Sequence, residues 1–255
     1  GLTHVGGPEA DEYGERGLHG AISNIPATVE SVIQPDPVAG KMEFSITGIM
    51  KQSQALGERL ELRRTISGRL GEACIHIRDE VTNKGNITVP HMLLYHCNFG
   101  WPLADEGARL IWKGQWQARD ANPKIFTQEN DFRTCMPPLD EHKGGGEEAA
   151  FIDVAADSNE QAVCGLYNAQ LGIAVSMRFS KKQLPWLTNW QHWGKGEYVT
   201  GLEPGTHPPI GQAKARAQHT LIELEPGETR RYDLYFEVLH EAERVNEFLK
   251  THNNS

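Results

Sequence analysis

The sequence predicts an all-β protein of many antiparallel hairpins with few helices, and three observations carry that prediction. Apolar residues recur at every second position in several stretches, the period that puts alternate side chains on opposite faces of a sheet. Gly-containing turns separate pairs of these stretches, as in antiparallel hairpins. Helix signals are few, and the best of them lies at the C-terminal end. The 255 residues suit one large β domain, since sandwiches and barrels of roughly 200–250 residues commonly fold as a unit. A single domain over residues 1–255 is therefore expected.

In chain order, Met42, Phe44 and Ile46 share one strand face. Between Leu60 and Val81 two alternating runs flank Ser67-Gly68-Arg69-Leu70-Gly71 and predict a hairpin, with Ile75 and Ile77 on one face and Cys74, His76 and Arg78 opposite. Ile173, Val175, Met177 and Phe179 repeat the alternation, and Thr220 to Val238 reads as another hairpin around Pro226-Gly227. From His240 to Lys250, Ala242, Val245, Phe248 and Leu249 form a helical stripe that would cover an edge or seal one face. Pro137 to Gly146 and Glu197 to Pro209 read as irregular loops, where a β scaffold usually carries its binding groups. Gly1 to Pro8 lacks an initiator Met and reads as loop interior, so a preceding native segment is expected.

Composition excludes several classes of function. Against 25 basic residues stand 34 acidic ones, a net charge of −9, which argues against a nucleic-acid partner, because phosphate binding needs a basic face. No run approaches the roughly 18 apolar residues of a membrane helix, and no basic segment followed by an apolar one opens the chain. A soluble, cytoplasmic protein with no membrane partner is expected. The sequons Asn86-Ile87-Thr88 and Asn253-Asn254-Ser255 then read as chance matches. Cys74, Cys97, Cys135 and Cys164 form no C-x-x-C pair and read as reduced, packed thiols. Nucleophile-elbow, P-loop and dinucleotide glycine patterns are absent, and the eleven histidines show no metal-ligand spacing. Neither metal nor cofactor is expected.

Three segments combine titratable residues with Trp, Asn and Gly in ways that a core does not require. They are Arg16 to Gly20, Leu94 to Pro102, and Thr188 through Lys195 to Pro208. Aromatic rings beside hydrogen-bonding groups suit a sugar, whose C–H face packs on an indole while its hydroxyls meet polar tips.

These segments resemble the aldose 1-epimerase (galactose mutarotase) family in order. Val81-Thr82-Asn83-Lys84-Gly85 through Tyr95-His96-Cys97-Asn98-Phe99-Gly100 is similar to its "TN" followed by "NHSYFNL", Leu18-His19-Gly20 to its "LHGG", and Gly201-Leu202-Glu203-Pro204 to its "CLET". With Ile22 to Ala27, the resemblance is greatest to the mutarotase-like branch called the domain of unknown function 4432 family, and it covers most of the chain. It implies a galactose mutarotase-like antiparallel β-sandwich. It also implies that His96 is the acid that protonates the ring oxygen, Glu203 the base that takes the anomeric hydroxyl proton, and His19 a substrate-binding partner. An acidic sugar-holding residue is implied between the second and third motifs; Glu148 is the first choice and Glu147 the alternative register. Cys97 stands where the family has a small hydroxyl residue, and the family's N-terminal segment has no counterpart.

Hemiacetal opening requires a proton to leave O1 while another reaches the ring oxygen, so two groups of opposite task must flank one ring. An imidazole and a carboxylate fit near neutral pH if the site tunes both. Arg16, Trp190, His192 and Trp193 complete the expected sugar-binding set, whereas His142 reads as a solvated loop residue. Arg16 and Lys195, if they line the pocket, would favour an acidic or phosphorylated sugar. Two other classes compete with a mutarotase or epimerase: a non-catalytic carbohydrate-binding or sensing protein with the same pocket, and a metal-dependent sugar isomerase.

Overall fold

Strands dominate the computed structural model, which describes residues 1–252; the Asn253-Asn254-Ser255 sequon lies outside them. Pairing is antiparallel, and the described residues include two α-helices, Gln212–Ala217 and Ala242–His252. The described residues pack into two units, Gly1–Leu94 with Gly205–Tyr235 and Tyr95–Pro204 with residues 236–252.

In the first unit Thr28–Ile33, Glu43–Ser53, Arg59–Arg69 and Cys74–Asn83 follow one another in a sheet. The expected hairpin is present, with register from Leu60 opposite Asn83 to Gly68 opposite Ile75. Its inner face buries Leu60, Leu62 and Val81. On the other face His76 and Arg78 both reach Asp233 of the strand Thr229–Leu239. The strand through Phe44 and Ile46 forms as expected, but Ile46 stays 43% exposed. It lies beside an edge strand, Thr28–Ile33, that is exposed throughout.

The hairpin expected around Pro226-Gly227 does not form. Ile222–Leu224 pairs with Val89–His91, while Thr229–Leu239 enters the large sheet. Asn83 separates them: its side-chain amide donates to Leu224 O and Ile87 O, and its backbone binds Gly227 N–H and Glu228 O. A turn captured from outside cannot also close a two-strand ladder.

In the second unit a five-stranded sheet runs in the order Gly114–Ala118, Glu148–Val154, Trp186–Gly194, Glu197–Gly205, Asn98–Gly100. The segment expected to be irregular from Glu197 is thus a strand as far as Gly205. Tyr198, Val199 and Thr200 are strong β formers, and Gly196 takes the left-handed turn that starts them, at φ 89°. The second unit also holds the run Ile173–Ser180, Gln161–Asn168, Arg109–Trp112, where Met177 and Phe179 are buried. The C-terminal helix starts two residues later than the periodicity suggests and buries Val245 and Phe248 against Ile111, Ala174 and Leu239. Gly165 makes that docking possible, because a Cβ there would meet Val175 O and the Phe248 ring.

Among the described residues no disulfide joins the four cysteines, and Cys135 and Cys164 are buried. Among the described residues no helix is long and apolar enough to cross a membrane.

Candidate functional site

The candidate site grows from a backbone pairing in the second unit. Tyr95 N–H donates to Pro204 O at 2.9 Å and Leu202 N–H to Cys97 O at 3.0 Å; the ladder continues with Asn98 opposite Gly201. Residues 96 and 203 therefore lie side by side although far apart in sequence. Just before the strand Asn98–Gly100, a tight turn in which Cys97 N–H donates to Tyr95 O at 3.0 Å leaves Tyr95 buried and His96 and Asn98 exposed. His96 Nε2 is 3.1 Å from Glu203 Oε1, with the imidazole 37% exposed and the carboxyl only 2%.

Gly201 makes room for this contact: Glu203 curls back beneath it, and a Cβ at 201 would fall on Oε1. Burial, reinforced by the charge of Glu147, pushes the Glu203 pKa up to about 8. Burial also lowers His96 below the usual histidine value, against the pull of its hydrogen bond to Asn98. Both shifts favour the uncharged forms, a protonated carboxyl and a neutral imidazole. Oε1 has no aligned hydrogen bond despite the nearby imidazole. A buried polar atom in that condition calls for a functional explanation.

Trp190 stands edge-on to His96, ring centres 5.8 Å apart. Its indole N–H donates to Glu147 Oε2, and His192 stacks parallel to it at 6.0 Å with His142 behind at 5.5 Å. His192 Nδ1 is 2.6 Å from Gly146 O. Arg119 donates to Glu147 Oε1 at 2.6 Å. Burial alone would raise the Glu147 pKa, but Arg119 and the Trp190 indole outweigh it and hold the group below the ordinary carboxylate range.

Several residues fall elsewhere than expected. Glu148 accepts the backbone N–H groups of Lys124 at 2.8 Å and Ile125 at 2.9 Å, so it anchors a loop, and Glu147 is the carboxylate beside Trp190. Trp193 is fully buried, donating to Gln191 Oε1 and packing on Tyr198; it is a core residue. His142 is buried rather than solvated and accepts the Trp193 N–H. Lys195 is exposed at a hairpin turn. In the first unit Arg16 is held by Glu9 at 2.8 Å and Asp11 at 2.6 Å. His19, at φ 53°, accepts the Gly6 N–H on Nδ1 and donates its own N–H to Gly6 O.

Arg119 escaped the sequence reading because nothing near it in the chain marks it. Asn98 carried a usable signal, a polar side chain two residues after His96 within the same motif. Among the described residues no three His, Cys, Asp or Glu side chains converge as a metal-ligand set.

This architecture places the chain among the galactose mutarotase-like folds. It superposes on a candidate aldose 1-epimerase from Klebsiella pneumoniae subsp. pneumoniae MGH 78578 with a TM-score of 0.86 and 26% identity, over 98% of this chain and 64% of that one. A candidate aldose 1-epimerase from Escherichia coli K12 matches at TM-score 0.60 and 15% identity, over 94% and 81%. The GalM/aldose epimerase homologue from C. elegans matches at 0.60 and 12%, over 94% and 81%. The chain thus spans 64% of the length of the Klebsiella protein. It belongs to the family described as Domain of unknown function (DUF4432), whose model matches residues 1–238. Among curated proteins none matches the chain.

Proposed function

We propose that the protein is a sugar mutarotase or epimerase that interconverts anomers of an aldose or sugar derivative, with His96 and Glu203 as its proton-transfer pair. The observation that carries this reading is a carboxyl only 2% exposed, 3.1 Å from a half-exposed imidazole. Burying an ionisable group without a cation disfavours its charged form. Here that disfavour has a use, because a carboxyl with a pKa of about 8 is matched to proton transfer near neutral pH.

Ring opening moves one proton onto the ring oxygen and one off the anomeric hydroxyl. The pair supplies one donor and one acceptor. After rotation about C1–C2 both transfers run backwards on closure, so each residue serves as acid and as base within one turnover and the site ends as it began. Trp190, backed by His192 and tied to Glu147, presents a half-exposed indole on which the C–H face of a sugar can pack. Glu147 and Arg119 offer polar groups for hydroxyls beside it. The partner is a small carbohydrate.

Exchange NMR of a panel of free sugars, recorded in buffer containing a chelator, tests this. Wild-type protein should accelerate α/β interconversion, and Glu203→Gln should reduce turnover by about 10² or more while sugar affinity stays within several-fold. His96→Asn should behave likewise, and the double variant should lose much less than the product of the two, since both groups act in one coupled event. Unchanged turnover in Glu203→Gln would remove Glu203 from the mechanism. Sugar binding without interconversion by the wild type would leave the carbohydrate-binding alternative, and activity abolished by chelation and restored by a divalent ion would favour a metal isomerase.

A further inference from the structure

We infer that a cavity of about 260 Å³ in the first unit is a binding site for a neutral polyhydroxylated small molecule, a single sugar ring or a polyol of that size. Separate stretches of chain build its walls: Thr3, the hairpin of Glu9–Asp11 with Gly14–Arg16, the turn from Gln54 to Glu58, the segment from Ile87 to Pro90, and the helix Gln212–Ala217. All of them belong to the first unit. None of His19, His96 and Glu203 lines the cavity, so the inference stands apart from the proton-transfer pair. The volume falls below the roughly 300–1,000 Å³ of pockets for drug-sized ligands, which suits one small ring and excludes an extended chain.

Charge decides the class of ligand. The lining carries two guanidiniums, Arg16 and Arg216, and two carboxylates, Glu15 and Glu58. Two further carboxylates hold the guanidiniums: Arg16 is 2.8 Å from Glu9 Oε1 and 2.6 Å from Asp11 Oδ2, and Arg216 is 3.8 Å from the same Asp11 oxygen. Arg16 by itself would favour an acidic sugar; with Glu9 and Asp11 against it, it does not. An anion entering here meets cations whose charge is already matched, and two carboxylates besides, while a cation has to lie against two guanidiniums. Hydroxyl groups both donate and accept, so a neutral polyol can give its protons to the carboxylates and take hydrogen bonds from the guanidiniums without either penalty. Ile87, Val89 and Pro90 offer apolar surface to its C–H groups.

The walls are braced before any ligand arrives. The Arg216 guanidinium lies over the Tyr13 ring, 3.8 Å from its centre, and donates to Gln212 Oε1 at 2.8 Å. Gln212 in turn donates to Thr3 O at 2.7 Å. Gln52 Nε2 ties Thr3 Oγ1 at 3.1 Å to Glu58 Oε1 at 2.6 Å. Binding therefore orders few side chains, a cost that would otherwise be taken from affinity. Since Glu58 already accepts from Gln52, the exposed carboxylate of Glu15 is the main acceptor for ligand hydroxyls.

The test is ¹H–¹³C NMR of protein labelled at the isoleucine δ1 methyl groups. Ile87, 48% exposed in the cavity wall, is the reporter, its signal identified by its loss in Ile87→Val. The probes are the methyl glycosides of glucose, galactose and mannose, together with myo-inositol; inorganic phosphate and methylammonium are the charged controls. At least one neutral probe should move the Ile87 signal saturably. Glu15→Ala should weaken that binding about 10-fold or more, and Glu15→Gln, which keeps one acceptor oxygen, should weaken it less. An Ile87 signal that no neutral probe moves, or one that responds equally in Glu15→Ala, overturns the inference. A response to phosphate or methylammonium in place of the neutral probes overturns the choice of ligand class. None of the neutral probes has a free anomeric hydroxyl, so the result does not depend on whether the protein interconverts anomers.

Discussion

Glu203→Gln should change how stability depends on pH, by an amount that follows from burial. The Glu203 pKa is about 8 in the fold against an ordinary value of 4.5. Between those values the folded protein keeps a proton that the unfolded chain has released, so stability from this group is fully present below about pH 4.5 and is lost as pH rises through about 8. Each pH unit inside the window removes up to about 1.4 kcal/mol, and integration from pH 5 to 8 gives a loss of about 3 kcal/mol. Glutamine does not titrate. It brings its own cost of burying an amide, but that cost is the same at every pH and cancels when the wild type–variant difference is compared across pH. Urea unfolding of both proteins at pH 5, 6.5 and 8 measures the difference. The variant should gain on the wild type by about 3 kcal/mol across the series, while turnover falls. A difference that stays flat would mean that Glu203 is ionised in the fold, and the protonated-carboxyl account of the pair would be wrong.

Two further perturbations probe how the pair is held. Gly201→Ala puts a methyl group where Glu203 Oε1 lies; the carboxyl must swing away from His96, and turnover should fall about 10-fold or more with circular dichroism unchanged, whereas full activity would show that the packing of Gly201 on Glu203 does not matter. Glu147→Gln removes the charge that adds to the upward shift of Glu203 and leaves Arg119 with Asp120 as its carboxylate partner, so the alkaline limb of the rate profile should move to lower pH; a limb that stays in place or moves up would separate Glu147 from the titration.

Much of the fold was legible because its cause is local. Alternation at Leu60 to Val81 and at Ile173 to Phe179 marks strands wherever they end up, and the stripe of Val245 and Phe248 marks a helix. The reading faltered where a distant group competes with local preference. Pro226-Gly227 looks like a hairpin turn until Asn83 takes its backbone, and the glycine-rich run from Glu197 looks irregular until neighbouring strands supply its ladder.

The site divides along the same line. The resemblance of three ordered motifs to the mutarotase family, with no structure in view, singled out His96 and Glu203, and an imidazole and a carboxylate are what the chemistry requires. Which neighbours join them was decided by the register of Glu148–Val154 against Trp186–Gly194. Glu148 sits opposite Gln191 and Ala149 opposite Trp190, so Gln191 and Trp193 face the core, Trp190 and His192 share the other face, Glu148 turns to the loop at Lys124, and Glu147 meets the indole. Side chains alternate with a period of two, so a slip of one residue would exchange every one of these roles. No property of the pair Glu147-Glu148 or of Trp190 and Trp193 taken alone distinguishes them; the hydrogen-bond ladder between two strands does.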